Sequence, residues 1–276
     1  MERYEEIEKS LIKKYRKSIW NRFIMGMKEY QMVNEGDRIA VCISGGKDSM
    51  ILAKCLQHLQ AYSQVHFDLE YIVMDPGYNQ LNRKKIEENA KLLNIPVKIF
   101  HTDIFNTVHN MGGSPCYVCA RMRRGHLYKN AQLLGCNKIA LGHHFDDVIE
   151  TILMGMLYGG QVQTMMPKLH STNYQGMELI RPLYMVKEQD IISWVNYNSL
   201  EFIQCACRFT EMYEKEHNAH DVLTSKRAEM KEMIKNFRTI NPNIEHNIFN
   251  SVCNVNLDTI ISYHKGDEYH SFIDEY

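Results

Sequence analysis

The chain has no apolar run approaching the roughly 18–20 residues that a helix needs to cross a bilayer, so no membrane contact is expected. No charge of one sign dominates either. Lys and Arg number 32 against 33 Asp and Glu, a formal net charge of −1. A protein coated in positive charge is excluded, and any nucleic-acid site must be a local patch. The opening residues 1–6 (MERYEE) lack the apolar core of a secretory signal, which points to a cytoplasmic location. No internal repeat and no low-complexity segment is present. In a reducing compartment the eight cysteines do not suit a disulfide framework. Some are expected to pack in the core and others to act as ligands.

What is present is 276 residues with 45% hydrophobic content, enough for one large domain or one domain with appendages. Residues 1–33 read as an amphipathic helix, with Ile7, Leu11, Ile12, Tyr15, Ile19, Phe23 and Met27 at helical spacing. Lys13, Lys14, Arg16, Lys17 and Arg22 give it a basic side. From about residue 37 strands and helices alternate. Strands are expected at 38–44, 67–75, 97–102, 138–142 and 179–183. Helices are expected from Lys47 to about Tyr62, at 81–93 and 117–134, from about Asp146 to Leu157, and from about Lys187 to Asn198. This alternation predicts an α/β fold, a Rossmann-like parallel sheet covered by helices on both faces. Residues 208–276 are more polar and read as a helical tail, with helices at 226–238 and 244–255. The expected division is an N-terminal helical region (1–33), a nucleotide-binding domain (34–207) and the tail (208–276).

The most informative string is Ser44-Gly45-Gly46-Lys47-Asp48-Ser49, between an apolar strand and a helix. Strand, glycine turn and helix N-terminus together aim backbone N–H groups at an anion. Glycines let a phosphate approach without a Cβ in the way. Ser44 and Ser49 add hydroxyls, and Lys47 a charge. Asp48 would be repelled by phosphate unless a Mg²⁺ lay between them. The string therefore predicts nucleotide phosphates and a metal. It is not a Walker A loop, because Lys47 is followed by Asp48 rather than Ser or Thr.

Two more groups fall at strand ends, where ligands of such sheets bind: Asp75, and the run Gly142-His143-His144-Phe145-Asp146-Asp147. One aspartate of that run suits an N-cap. His143, Asp146 and Asp147 are expected to line the nucleotide site through Mg²⁺ or hydrogen bonds. Cys116-Tyr117-Val118-Cys119 opens a helix and is followed by Arg121, Arg123 and Arg124. This spacing suits zinc, a redox dithiol or an iron–sulfur cluster. Cys205-Ala206-Cys207 is a candidate second group. Cys42, Cys55, Cys136 and Cys253 read as packing residues.

The loop resembles the Ser-Gly-Gly-x-Asp-Ser pyrophosphate loop of the ATP pyrophosphatases. In register with it stand Cys116–Cys119 with the trailing Arg121–Gly125, Gly142–Asp147, Tyr158-Gly159-Gly160, Pro167-Lys168-Leu169 and Arg181-Pro182-Leu183. From about Asp37 to Cys205 the chain is similar to the tRNA 2-thiocytidine synthetase family, the tRNA-cytidine(32) 2-sulfurtransferases. The resemblance implies that Ser44–Ser49 hold pyrophosphate, that Asp48 holds Mg²⁺, and that Cys116, Cys119 and Cys205 ligate a 4Fe–4S cluster. ATP would adenylate the C2 oxygen of an anticodon-loop cytidine in tRNA, and sulfur would displace AMP. Asp48, Cys116, Cys119 and Cys205 would then be the catalytic set. The sulfur donor would be inorganic sulfide or a cysteine desulfurase product, and a homodimer is expected. Two departures stand out. Cys205 lacks the usual preceding proline and has Cys207 as an alternative ligand. Phe145 replaces an arginine often found there. These leave room for a related enzyme that thiolates uridine or uses a nitrogen nucleophile, and for a redox-sensing RNA-binding protein.

Overall fold

The computed structural model describes residues 2–104, 115–203 and 226–276, with the side chains of 115–120 and 275 left aside. Two compact units result: Met1–Asp147 with Met166–Leu223, and Val148–Met165 with Thr224–Tyr276. None of the described helices is long and apolar enough to cross a membrane.

The first unit is built on a six-stranded sheet. Its strands are β1 (Arg38–Ile43), β2 (Asp68–Asp75), β3 (Val97–His101), β4 (Lys138–Ala140), β5 (Lys168–His170) and β6 (Glu178–Ile180), in the order β3-β2-β1-β4-β6-β5. β1 is buried from Ile39 to Ile43, the continuous apolar run of a strand covered on both faces. It pairs in parallel with β2, Ile39 opposite Leu69, and with β4, Ile39 opposite Lys138. The chain lays β2 and β3 on one side of β1 and returns to place β4 on the other. The topological switch point therefore lies between the carboxyl ends of β1 and β4, where open α/β sheets bind ligands. The helices that follow the strands are α3 (Lys47–Tyr62), α4 (Gln80–Leu92), α5 (Pro115–Leu133), α6 (Phe145–Gly159) and α7 (Glu188–Tyr197).

Three details depart from the sequence expectation. The N-terminal helix is two helices, α1 (Arg3–Lys13) and α2 (Asn21–Glu29), joined by a π-helical turn over Arg16–Trp20. Tyr15 N–H reaches back to Ser10 O and Trp20 N–H to Tyr15 O, each five residues away. The extra residue in the turn keeps Ile7, Leu11, Ile19, Phe23 and Met27 all buried. The sheet also gains an edge strand, β5, antiparallel to β6. Three residues are too few to show a strand period. Finally, the tail is not wholly helical. After α8 (Lys226–Ile240) and α9 (Ile244–Ser251) come β7 (Ser262–Lys265) and β8 (Glu268–Ser271), an antiparallel hairpin. Asp267 and Gly266 form its turn, with Gly266 at φ +65°. Within this second unit Arg227 pairs with the buried Glu150 at 3.0 Å, and Arg238 with the buried Glu245.

Polar groups inside the first unit tie its layers together. Glu8 on α1 accepts from Lys54 Nζ at 2.9 Å and lies 2.7 Å from His58 Nδ1, both on α3. Ser10 Oγ receives Trp194 Nε1 and Asn198 Nδ2. Lys138, 2% exposed, sits on β4 with Nζ 2.7 Å from Asp37 and 3.1 Å from Glu178. Burial by itself raises the Asp37 pKa. The hydrogen bonds from Lys138 and Asn137 outweigh it and hold the carboxyl below its ordinary range.

A depressed carboxylate stabilises the fold above its unfolded pKa and loses that contribution as pH falls through its folded value. Lys138→Met leaves Asp37 buried without its opposite charge, at a cost of about 3–5 kcal/mol. Urea unfolding at pH 7 checks this. The gap between variant and wild type should shrink as pH falls toward the depressed folded-state value of Asp37, where the carboxyl takes up its proton.

Candidate nucleotide site

The glycine turn is held from within. Ser49 Oγ donates to Gly46 O at 2.9 Å and accepts Ser44 N–H at 3.1 Å, with Ser44 Oγ 3.2 Å away. Gly45 stands at φ +87°, where a Cβ would also lie 2.6 Å from Ile203 and Ile86. Gly46 precedes α3 with no side-chain cap. The positive end of a sixteen-residue helix is thus presented at the loop.

Gly142, just past β4, closes on this turn. A Cβ there would meet the Asp48 carbonyl carbon and oxygen at 3.0 Å and Ser49 N at 3.1 Å. Only a glycine lets the two segments touch backbone to backbone. The contact brings both motifs to one cavity of about 390 Å³ at the switch point, within the ~300–1,000 Å³ span of small-molecule sites. Ser44, Asp48, Ser49, Gly142, His143 and Asp147 line it, with Arg123 and Arg124 from α5. Gly46, Lys47 and Asp48 also face a second cavity of about 660 Å³ bounded by Leu200–Ile203.

The charges are graded across the site. Lys47 Nζ donates to Asp48 Oδ2 at 3.2 Å and to Glu188 Oε1 at 2.9 Å. Burial works to lower the Lys47 pKa, but the two carboxylates prevail and keep it above its ordinary value. Asp48 Oδ1 is buried and accepts no hydrogen bond; Lys47 Nζ at 3.2 Å faces it only as an ion pair. His144 Nε2 lies 3.9 Å from that oxygen. A buried carboxylate oxygen with a lone pair left over, beside a phosphate-type loop, fits Mg²⁺. That ion is commonly held by one or two carboxylates plus the phosphates of its substrate. The residues present therefore fit ATP and Mg²⁺: the loop for the phosphates, Asp48 for the cation.

Not every predicted residue reaches this cavity. Asp146 turns instead to α7, where its Oδ2 accepts Glu188 N–H at 2.7 Å at the start of the helix. Asp147 accepts His144 N–H at 3.0 Å, and His144 Nδ1 accepts Asp147 N–H at 3.3 Å. This reciprocal pair closes the first turn of α6, so neither aspartate is the N-cap. Asp75 is buried at the end of β2. Its Oδ1 accepts Gly77 and Tyr78 N–H, and its Oδ2 accepts Arg83 at 3.1 Å. It shapes the turn after β2 without lining the cavity. Cys116 and Cys119 fall in the first turn of α5, with side chains outside the described residues. Cys205 and Cys207 lie outside them altogether. Cys42, Cys55 and Cys136 are buried as expected, with burial pushing their thiols up, that of Cys136 to about 11. Cys253 is exposed, contrary to the packing reading; it follows α9, where no core covers it.

Three functional partners had no signal as single residues. Arg181, just after β6, is buried and donates to His143 Nδ1 at 3.2 Å and to Met166 O. Burial, and then Arg124 nearby, lower its pKa to about 10. This hydrogen bond places the His143 proton on Nε2. Glu188 and His144 complete the ion network around Lys47. Phe145 is buried, and Lys187 Nζ lies 5.7 Å over its ring.

Comparison with known proteins gives the family and the fold. Residues 16–225 match the PP-loop domain family. The chain is 34% identical over 246 residues to a tRNA-cytidine(32) 2-sulfurtransferase of Geobacter metallireducens, covering 88% of this chain and 91% of that one. The chain belongs to this PP-loop family. A protein of the same description from Aeromonas salmonicida is 36% identical over 201 residues, 72% of this chain and 66% of its own length. One from Neisseria meningitidis is 38% identical over 182 residues, 65% of this chain and 57% of its own length. The chain thus spans about two-thirds or less of these last two relatives. In fold it is similar to the U34-tRNA thiolase NcsA of Methanococcus maripaludis, described with its 4Fe–4S cluster. The TM-score is 0.65 at 19% identity, over 84% of this chain and 76% of that one.

Gly142→Ala is expected to lower stability by about 1–3 kcal/mol through overpacking, and to weaken binding of a non-hydrolysable ATP analogue. A Cβ on Gly159 meets nothing within 4 Å, so Gly159→Ala should do neither. Thermal melting with and without the analogue separates the two.

Proposed function

We propose that the chain is an ATP-dependent tRNA sulfurtransferase that converts an anticodon-loop cytidine to 2-thiocytidine. The observation that carries this reading is Asp48 Oδ1, buried without a hydrogen bond inside a glycine loop at the switch point, together with the name shared by relatives such as that of Geobacter metallireducens. A pyrimidine C2 oxygen leaves poorly until it is activated. Attack by that oxygen on the α-phosphorus of ATP forms the C–O–P link and expels pyrophosphate. The Ser44–Ser49 loop, with the backbone N–H groups of Gly45 and Gly46, would receive the departing pyrophosphate, Lys47 would oppose its charge, and Asp48 would hold its Mg²⁺. A sulfide-level sulfur then adds at C2 and AMP leaves with the former carbonyl oxygen.

The nucleotide cavity is lined by His143, Arg123 and Arg124 among others, donors and charges suited to a phosphorylated substrate. Arg181 keeps the His143 ring in one tautomer. Cys116, Cys119 and Cys205 are the residues assigned to a 4Fe–4S cluster. Held by these three thiolates, such a cluster would supply iron chemistry for carrying sulfur. The sulfur comes from inorganic sulfide or a cysteine desulfurase product, and the enzyme works as a cytoplasmic homodimer.

The test is anaerobic turnover of purified protein with tRNA, ATP, Mg²⁺ and sulfide, reading pyrophosphate and 2-thiocytidine. Asp48→Asn should cut pyrophosphate release by about 10²-fold or more. Cys116→Ser should lose iron, acid-labile sulfide and thiolation while keeping the affinity for an ATP analogue. Normal thiolation by Cys116→Ser would remove the cluster from the scheme.

A further inference from the structure

The switch-point cavity does not account for all of the cationic surface beside it. A separate cavity of about 840 Å³ lies between α5 and the β5–β6 turn. Its walls include Arg121, Arg124, His170, Thr172 and Asn173, and none of its lining residues is acidic. Among the described residues Arg121 and Arg124 have no carboxylate within ion-pair distance, although acidic residues outnumber basic ones along the chain, 33 to 32. Their charge is felt nearby: Arg124 helps to depress the buried Arg181. Unpaired arginines gathered in a cleft concentrate field for an anion.

The cleft is also built rather than incidental. Tyr174, in the β5–β6 turn, donates from its hydroxyl to Gly125 O on α5 at 2.9 Å. Its ring stacks on that of the buried Tyr128, centroids 5.0 Å apart and planes within 15°. Gly125 carries no side chain, and a Cβ there would stand 3.5 Å from the Tyr174 hydroxyl. The turn itself is closed by Ser171 N–H to Met177 O and Met177 N–H to Tyr174 O. Thr172 and Asn173 are exposed at its tip. Thr172 and Asn173 thus share the cleft with two guanidinium groups that no carboxylate neutralises. Arg124 lines this cleft and the nucleotide cavity alike, so the two are neighbours.

We infer that this cleft is a phosphate-backbone subsite for the RNA substrate, which grips nucleotides flanking the base that enters the nucleotide cavity. It rests on the function proposed above and adds to it where the RNA strand runs. Arg121 and Arg124 contact phosphates, while Thr172 and Asn173 donate to phosphate or 2′-hydroxyl oxygens. Such contacts position an RNA and carry no sequence information. The antiparallel edge strand β5 has a purpose in this arrangement: its turn supplies the far wall.

The test uses the full-length protein and tRNA, with affinity followed across a salt series. Arg121 is exposed, so Arg121→Glu should fold and bind an ATP analogue as wild type does. It should weaken tRNA binding about ten-fold or more near physiological salt and lower the salt slope by about 1. Asn173→Glu, on the opposite wall, should weaken tRNA binding in the same direction. Lys91→Glu, exposed on α4 away from the cleft, should leave it within about two-fold, as expected of a residue with no phosphate contact. Wild-type affinity and slope in Arg121→Glu and Asn173→Glu would overturn the subsite and leave the functional reading intact. Equal losses in all three variants would also overturn it, since binding would then follow bulk charge. Wild-type protein that shows no salt-dependent tRNA affinity would overturn the functional reading itself.

Discussion

The backbone contact between Gly142 and Asp48–Ser49 is the constraint on which the rest of the site depends. It joins the carboxyl ends of β1 and β4 at the one place where the strand order reverses. A side chain at residue 142 would meet the Asp48 carbonyl at 3.0 Å, so the backbone of the two segments would have to give by a few tenths of an ångström. With the contact in place, the positive end of α3, the Asp48 carboxylate and the His143–Asp147 turn share one cavity. The parallel pairing of β1 with β4 over only three residues, Ile39–Val41 with Lys138–Ala140, is enough to set that approach.

Charge is then distributed so that one oxygen remains unsatisfied. Lys47 is divided between Asp48 and Glu188, and His144 is engaged with Asp147. Glu188 in turn is positioned by its own N–H on Asp146. The acidic residues at the switch point thus divide their labour. Asp146 anchors α7, Asp147 closes α6, and Asp48 keeps an oxygen free of hydrogen bonds. A buried carboxylate oxygen left without a hydrogen bond is costly, a cost that a bound cation removes.

Much of this was legible in the sequence because it rests on local chemistry. Strand, glycine turn and helix announce Ser44–Ser49 whatever the tertiary setting. The continuous apolar run of β1 announces a two-face-buried strand. Asp146 and Asp147 were legible as a pair but not in their separate roles, because which carboxylate faces the cavity depends on where α7 begins, some forty residues on. Arg181 and Glu188 were silent for the same reason: each meets its partner only through the sheet. Strand β5 is three residues long and antiparallel, and Lys-Leu-His shows no period. The π turn at Arg16–Trp20 was hidden because an amphipathic stripe survives the insertion of one residue. The β7–β8 hairpin lies in a polar tail whose helical segments dominate its pattern. Cys253 was misread because cysteine is so often buried that its type outweighs its position.

The central claim is that the loop activates a tRNA carbonyl for replacement by sulfur. It is tested most directly by nucleoside mass spectrometry of total tRNA from cells with and without the gene. The account predicts that 2-thiocytidine disappears on deletion, returns with the wild-type copy, and stays absent with an Asp48→Asn copy. Persistence of 2-thiocytidine at the wild-type level in the deletion strain, with loss of a different nucleoside or of none, would contradict it.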